Sequence, residues 1–112
     1  MAPMSDPVVR NQPERERFVI LVEDELAGWS DYESVPGLRS FMHTAVNDRF
    51  QGRGLAGELI RAALDATRSE GLLVEPYCPY VRGFIEKHPE YLDLVPADRL
   101  DEFGLSAAAP GS

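Results

Sequence analysis

The sequence predicts an α/β domain, and three observations support this fold class. Two apolar segments, residues 18–22 and 26–32, are separated by a short charged turn, which is typical of an antiparallel β-hairpin. A glycine-rich turn at residues 52–57 leads into apolar residues at helical spacing. Another apolar run, residues 72–77, follows that helix directly, so strand, helix and strand make a right-handed parallel crossover.

The first half of the chain reads as an arm followed by three strands. Residues 1–16 are rich in proline and charge and show no apolar period, so we predict a flexible N-terminal arm. Strands are predicted at 18–22 and 26–32, where β-branched and aromatic residues are frequent. After the turn signal Pro36-Gly37, residues 38–46 form a third strand, which we expect to pair antiparallel with the second.

The second half of the chain is predicted to be mainly helical. The first helix begins at Leu55 and ends before Gly71, a favourable residue just beyond a helix. A second helix opens at Pro79, with Cys78 near its cap, and ends at His88 because Pro89 follows. Residues 91–95 form either a short final strand or an extended packing segment. We place the domain at residues 17–96 and a partly disordered tail at 97–112.

Composition restricts the classes of function. A chain of 112 residues with 44% hydrophobic residues forms one domain, and its single cysteine excludes an internal disulfide. No apolar run is long enough to cross a membrane and no signal peptide is evident, so a cytoplasmic location is expected. The net charge of −8 argues against nucleic-acid or anionic-membrane binding and is compatible with a cationic amine substrate. With two histidines and no zinc-like spacing, we predict no metal site.

The glycine-rich turn carries the clearest chemical signal. Glycine permits positive φ and close approach of a ligand to the backbone, and a helix N-terminus presents unpaired N–H groups with partial positive charge. A phosphate or pyrophosphate is therefore the expected guest. Arg49 and Arg53 add two full positive charges beside the turn.

Two familiar phosphate loops do not fit this turn. A Walker A loop requires a lysine after the glycines, whereas the only lysine of the chain is Lys87. The series Gly52-x-Gly54-x-x-Gly57 formally matches a dinucleotide-binding loop. It lies in the middle of the chain, however, and too few residues follow to build the remaining parallel strands.

A third pattern fits, and it extends beyond the loop. Gln51-Gly52-Arg53-Gly54-Leu55-Ala56 resembles Gln/Arg-x-x-Gly-x-Gly/Ala, the pyrophosphate loop of the GNAT superfamily of N-acetyltransferases. The segments 43–46, 76–80 and 87–91 are similar to the small YjdJ-like branch of that superfamily. The resemblance covers residues 17–95 and implies a GNAT-like mixed sheet in minimal form, with a pyrophosphate-loop helix and a short C-terminal helix.

The resemblance also implies a cofactor, acetyl-CoA, and the residues that hold it. In the superfamily the pyrophosphate lies on the loop and the pantetheine arm runs beside the preceding strand, which splays from its parallel neighbour. The strand backbone at Thr44 and Val46 would bind the pantetheine and the thioester carbonyl. The loop contacts would come from Arg49, Gln51, Gly52, Arg53, Gly54, Leu55, Ala56 and Gly57.

Acetyl transfer to an amine requires a base, a donor to the oxyanion and an acid for the thiolate. Many GNAT members place a glutamate base on the strand before the loop, but residues 38–46 contain no acidic residue. His43 is the substitute that we predict, since imidazole titrates near neutral pH. Strand alternation places His43 on the face opposite Thr44 and Val46 unless a bulge intervenes.

Cys78 is the second candidate for a catalytic role. It is the first residue after the predicted strand 72–77 and precedes a helix opener, so we expect its sulfur to face the cleft at a helix N-terminus. The resemblance places it near the thiol end of CoA. There it would protonate the leaving thiolate, accept acetyl or form a mixed disulfide with CoA. Tyr77 and Tyr80 are alternative acids.

The predicted function is therefore an acetyl-CoA-dependent N-acetyltransferase whose acceptor is a small-molecule amine or a protein amine. The alternative is a non-catalytic CoA-binding or protein-interaction module on the same fold, which the missing strand carboxylate and the small size favour. A third hypothesis, an anion-binding structural domain, requires the family resemblance to be coincidental.

Overall fold

A single mixed β-sheet forms the centre of the protein in the computed structural model, which describes residues 6–106. The strands lie in the order β1-β2-β3-β4-β5, and all neighbours are antiparallel except β4 and β5, which are parallel. Their bounds are Val8–Gln12, Arg17–Val22, Glu25–Val35, Leu38–Val46 and Leu73–Pro76. The predicted mixed α/β sheet is thus confirmed.

Two helices connect and cover the second half of the sheet. Helix α1, Leu55–Ser69, links β4 to β5, and helix α2, Pro79–Lys87, follows β5. Cys78 is the N-cap of α2 and His88 its C-cap. Both ends agree with the prediction from the prolines that follow these residues, Pro79 and Pro89. The apolar stripe of α1 is buried, with Leu55, Leu59, Ile60, Ala63, Leu64 and Thr67 among the buried residues.

A β-bulge in β4 lies next to the point where its pairing with β5 ends. Asp31 of β3 pairs with His43, but the next residue, Tyr32, pairs with Phe41, so Met42 is the extra residue. Strand β5 pairs with β4 only from Leu38 to Phe41. The rest of β4, up to Val46, therefore has a free edge on that side, which is the predicted splay between the two parallel strands.

The guanidinium of Arg39 connects α1 to the sheet from within the core. Arg39 is only 4% exposed, and its Nη atoms donate to Glu70 at 2.8 and 3.0 Å and to Thr67 at 3.1 Å. Its carbon Cζ also lies 4.5 Å from the ring centroid of Tyr32. These hydrogen bonds lower the pKa of the Glu70 carboxyl and compensate for the burial of the charge.

The prediction of a flexible arm over residues 1–16 is wrong for the residues that form β1. Val8–Gln12 pairs antiparallel with β2, a 3-10 turn at Pro13–Arg15 joins the two strands, and Val9 packs against the core. The strand is short and most of its side chains are polar, so its sequence shows little apolar period. It is held mainly by the unpaired backbone groups at the edge of β2, which a side-chain pattern does not reveal. Residues 1–5 of the predicted arm lie outside the described residues.

The predicted tail also contains core residues. Phe103 is 5% exposed and Leu105 1% exposed, and Leu100 packs against the same core, so the fold extends beyond residue 96. Residues 107–112 of the predicted tail lie outside the described residues. Residues 91–95 form neither a strand nor an extended segment, because Pro89–Leu94 is a 3-10 helix with Tyr91, Leu92 and Leu94 buried. The spacing of these apolar residues did not distinguish an extended conformation from a 3-10 helix.

Glu75 attaches the C-terminal segment to the sheet. Its carboxylate accepts hydrogen bonds from Arg99 and from Ser40, and these lower its pKa from the ordinary value of 4.5. A carboxyl with a depressed pKa in the folded state stabilises the protein above its unfolded pKa, and this stabilisation is lost as the pH falls through the folded value.

We therefore expect Glu75→Gln to lower the free energy of unfolding at pH 7 and to make the stability less dependent on pH below about 4.5. Urea unfolding at a series of pH values measures both effects. The matched control is Glu86→Gln on the exposed side of α2, where no ion pair forms among the described residues. Equal acid sensitivity of the wild-type protein and the Glu75→Gln variant would contradict the role of Glu75.

Candidate cofactor site

The glycine turn presents a row of free backbone donors at the start of α1. Gly52 and Gly54 have φ of 82° and 73°, a conformation that favours glycine. Gly54 is the N-cap of α1 and offers no side chain to the first turn. Within residues 6–106, none of the N–H groups from Gly52 to Gly57 donates to another residue of the chain. These donors and the positive end of the helix dipole together suit a pyrophosphate.

A cleft of about 340 Å³ lies between this turn, the free edge of β4 and the start of α2. Most of the residues predicted to contact the cofactor line it, namely Thr44, Val46, Gln51, Gly52, Gly54, Leu55 and Ala56. Ala45, Phe50 and Tyr80 complete the lining. Phe50 and Ala45 were not predicted as contacts, because a single aromatic or alanine in a turn carries no spacing signal.

Gln51 connects the turn to the end of the strand. Its Nε2 donates to the Val46 carbonyl at 3.3 Å. Asn47 supports the same corner, since its Nδ2 donates to the Leu26 carbonyl at 2.7 Å and its N–H to the Ala27 carbonyl at 2.8 Å. The loop therefore enters α1 from a position that three hydrogen bonds hold against β3 and β4.

Three of the predicted contacts do not line this cleft. Arg49 forms an exposed ion pair with Glu25 at 2.6 Å, and Arg49 and Arg53 lie over the ring of Phe50, with 5.1 and 5.3 Å between Cζ and the ring centroid. Both arginines therefore stand beside the cleft, where they supply positive charge. Gly57 faces a neighbouring groove between α1 and α2.

The side chain of Cys78 lies in the core, and the expectation that its sulfur faces the cleft is wrong. Cys78 is 1% exposed, and its Sγ donates to Thr44 Oγ1 at 3.4 Å. Its N–H donates to the Phe41 carbonyl at 2.8 Å, so the chain stays hydrogen-bonded to β4 two residues after β5 ends. In this position the side chain points into the core. Thr44 also shares a 2.9 Å hydrogen bond with Ser30, so the thiol reaches the cleft only through the hydroxyl of Thr44.

The side chain of His43 is exposed on the other face of the sheet. Thr44 is buried on the α1 side, and consecutive strand residues point to opposite faces. The bulge at Met42 changes the register before His43 but does not bring its side chain to the cleft side. His43 stands directly across from Asp31 of β3, an acidic residue that sequence reasoning missed because it belongs to another strand. The structure therefore separates the two predicted catalytic residues, His43 and Cys78.

Two further observations concern residues 6–106 only. No three of their histidine, cysteine, aspartate and glutamate side chains cluster in a way that would hold a metal ion. In the same range, every helix is too short or too polar to cross a lipid bilayer.

A mixed sheet that opens between parallel strands β4 and β5, beside a glycine turn at a helix start, defines a GNAT-like fold. A family model described as GCN5-related N-acetyl-transferase matches residues 17–94. The chain therefore belongs to the GCN5-related N-acetyltransferase family.

The chain is also similar to individual curated proteins and to a solved structure. Protein NATD1 of Bos taurus is 40% identical over 53 residues, which cover 46% of this chain and 47% of that protein. Human NATD1 is 38% identical over 53 residues, 46% of this chain and 47% of that protein, so the chain spans about half the length of the curated relatives it matches. The NMR structure of a GCN5-like protein from Staphylococcus aureus, assigned as an N-acetyltransferase, is similar with a TM-score of 0.63. It covers 83% of this chain and 91% of that chain at 23% identity, and this likeness shows the fold.

Proposed function

We propose that the protein is an acetyl-CoA-dependent N-acetyltransferase that moves the acetyl group from the CoA thioester to an amine. The observation that carries the proposal is the row of unpaired N–H groups from Gly52 to Gly57, which opens onto the cleft beside β4. Family membership provides independent support for the reaction class.

In the proposed complex, the pyrophosphate accepts hydrogen bonds from the turn and the first residues of α1. The pantetheine arm extends along the free edge of β4, where the backbone of Thr44 and Val46 lines the cleft. The thioester would then lie at the opening between β4 and β5, where a backbone N–H of β4 would donate to its carbonyl oxygen.

We propose His43 as the base that takes a proton from the acceptor amine. Its strand partner on β3 is Asp31, and residues paired across antiparallel strands point to the same face, so an acidic residue also lies on the face from which the acceptor would approach. The acceptor would then approach from the face of the sheet that carries His43, and the cofactor from the face that carries α1. We propose that Cys78 serves as the acid for the departing CoA thiolate, with its proton passing through the Thr44 hydroxyl to which Sγ donates.

A non-catalytic CoA-binding module is the second candidate function. Its support is the position of the two proposed catalytic residues, since Cys78 is enclosed in the core and His43 lies on the face opposite the cleft lining. Strand β4 also lacks a carboxylate.

Titration calorimetry with acetyl-CoA, followed by measurement of CoA release with a panel of small amines and basic peptides, distinguishes these candidates. We expect binding and acceptor-dependent CoA release, with slower release in His43→Gln and Cys78→Ala at nearly unchanged acetyl-CoA affinity. Binding without release for any acceptor would favour the non-catalytic module. No binding would contradict both candidates.

A further inference from the structure

Two large side chains are exposed at the point where the pairing of β4 with β5 ends. Met42 is 41% exposed and Tyr77 is 43% exposed. Met42 and His43 are consecutive, yet both are exposed between buried neighbours, because the bulge interrupts the alternation of the strand. Met42 therefore shares with His43 the side of the sheet opposite α1, which we call the outer face.

Tyr77 is connected to the outer face through a chain of hydrogen bonds. Its hydroxyl accepts from Arg99 Nη2 at 3.1 Å. Arg99 also donates to Glu75, and the carboxylate of Glu75 accepts from Ser40 of β4. Since Ser40 and Glu75 are paired across the two strands, Tyr77 lies on the face that carries Ser40.

Two carboxylates of β3 lie on the same face. Asp31 is the partner of His43 across the strands, and Glu33 is the partner of Ser40. Residues two apart on a strand share a face, so Asp31 and Glu33 both belong to the outer face. Neither carboxylate forms an ion pair within residues 6–106. Arg17, which flanks Asp31 on β2, donates to a glutamine of β1.

The outer face is thus acidic beside His43 and aromatic at its other end. An amine is a cation before it loses its proton, so free carboxylates attract it toward His43. A carboxylate on the carbon that bears the nitrogen would be repelled by Asp31. A second ammonium near Tyr77 would be repelled by Arg99, whose guanidinium contacts the Tyr77 hydroxyl.

The aromatic end suits an apolar group. The thioether of methionine is polarisable and makes favourable contacts with aromatic rings, and a tyrosine ring offers a face or an edge to another ring. Met42 stands next to His43 in the chain, and Tyr77 precedes Cys78, whose N–H is bonded to β4 at Phe41. An amine positioned at His43 would therefore place its carbon skeleton beside Met42 and Tyr77.

We propose that the acceptor is a primary amine on an aromatic or alkyl skeleton, without a carboxylate on the carbon that bears the nitrogen, and that Met42 and Tyr77 contact this skeleton. The proposal rests on the proposed function and names its substrate class. The C–N bond forms as the C–S bond of the thioester breaks. The nitrogen loses one proton to His43, and CoA leaves as the thiol after the thiolate takes a proton from Cys78 through Thr44.

CoA release measured with matched amines tests this substrate class. We expect kcat/KM for phenethylamine to be about tenfold higher than for phenylalanine, which adds a carboxylate beside the nitrogen. It should also be about tenfold higher than for putrescine, which has a second ammonium in place of the ring.

The apolar contact is tested by Met42→Ser. This change should lower kcat/KM for phenethylamine about fivefold, because apolar area is no longer buried against the substrate, and leave the value for putrescine nearly unchanged. The matched control is Val35→Ser, which truncates a side chain of similar exposure, 39%, at the opposite end of β3. It should leave both values unchanged.

The acidic end is tested by Asp31→Asn. Loss of this charge should raise kcat/KM for phenylalanine relative to phenethylamine, because the repulsion of the substrate carboxylate is removed. Glu86→Gln removes the same charge from α2 and should leave the ratio unchanged. Equal ratios in the wild-type protein, Asp31→Asn and Glu86→Gln would contradict the role of Asp31 in the proposal.

NMR of isotope-labelled methionine methyl groups detects the contact without turnover. The Met42 signal, assigned by its absence in Met42→Ser, should shift on titration with phenethylamine and stay in place with phenylalanine. Equal use of the two amines would overturn the proposal and leave the proposed function standing, as would equal effects of Met42→Ser and Val35→Ser. A shift of Met42 with no CoA release for any amine would support the amine surface and contradict the proposed function. The absence of both the shift and the release would contradict both.

Discussion

Replacing Gly57 by glutamate is expected to lower the affinity for acetyl-CoA by about 100-fold, because like charges brought together at an interface cost several kcal/mol. The new carboxylate would stand in the first turn of α1, beside the N–H groups that we assign to the pyrophosphate. The fold should tolerate the change, since a Cβ at Gly57 meets no atom within 4 Å. An acidic residue in the first turn of a helix is favourable, and so is the loss of a helical glycine.

Measuring both the stability and the acetyl-CoA affinity of Gly57→Glu therefore separates an effect on binding from an effect on folding. Thermal unfolding of Gly57→Glu should occur at the wild-type temperature or above it, while calorimetry records weaker acetyl-CoA binding. Ala62→Glu adds the same charge to α1 away from the cofactor cleft and should leave the affinity within about twofold, because exposed charges at a distance are screened by salt. Wild-type affinity in a folded Gly57→Glu variant would remove the turn from the cofactor site.

Truncating Leu105 to alanine is expected to lower the free energy of unfolding by about 2–5 kcal/mol, the usual cost of emptying a buried leucine site. Leu105 is 1% exposed, and its N–H donates to the Leu100 carbonyl at 2.8 Å, so its side chain is part of the core. For a domain with a typical total of about 5–15 kcal/mol, this loss is severe. Deletion of residues 100–112 should cost more, since it also removes Phe103.

Chemical denaturation of both variants measures these losses. Leu73→Ala is the matched control, because the same atoms are removed from a side chain that is 40% exposed, and we expect a smaller loss there. A truncated protein that unfolds at the wild-type midpoint would show that the C-terminal segment packs without contributing to stability.

The elements with strong side-chain periodicity could be predicted from the sequence. Strand β4 has the predicted bounds because it follows the turn signal Pro36-Gly37, and α1 begins at the predicted residue because its apolar side chains repeat with helical period. The turn at Gly52 and Gly54 could be predicted as well, since no other residue adopts positive φ so readily. The position of the candidate cleft could be predicted from these elements, because it lies between the end of β4 and the start of α1.

The elements held by partners distant in sequence could not be predicted. Strand β1 depends on the free edge of β2, and the segment around Phe103 depends on the ion pair of Arg99 with Glu75. Neither dependence leaves a periodic pattern in the segment itself. The position of Asp31 opposite His43 could not be predicted for the same reason, because it depends on the register between β3 and β4.

By itself, the sequence determined the α/β class, the order of the main elements and the glycine turn that we propose as the anion site, because these depend on local backbone preferences and on side-chain period. The tertiary structure alone decided which way the candidate catalytic groups point. Cys78 is hydrogen-bonded to the Phe41 carbonyl through its N–H, and its thiol lies in the core. His43, which follows the bulge at Met42, lies on the face of the sheet opposite Thr44. Both outcomes depend on how β4 meets its neighbours, and contacts between strands far apart in sequence are set only when the sheet assembles.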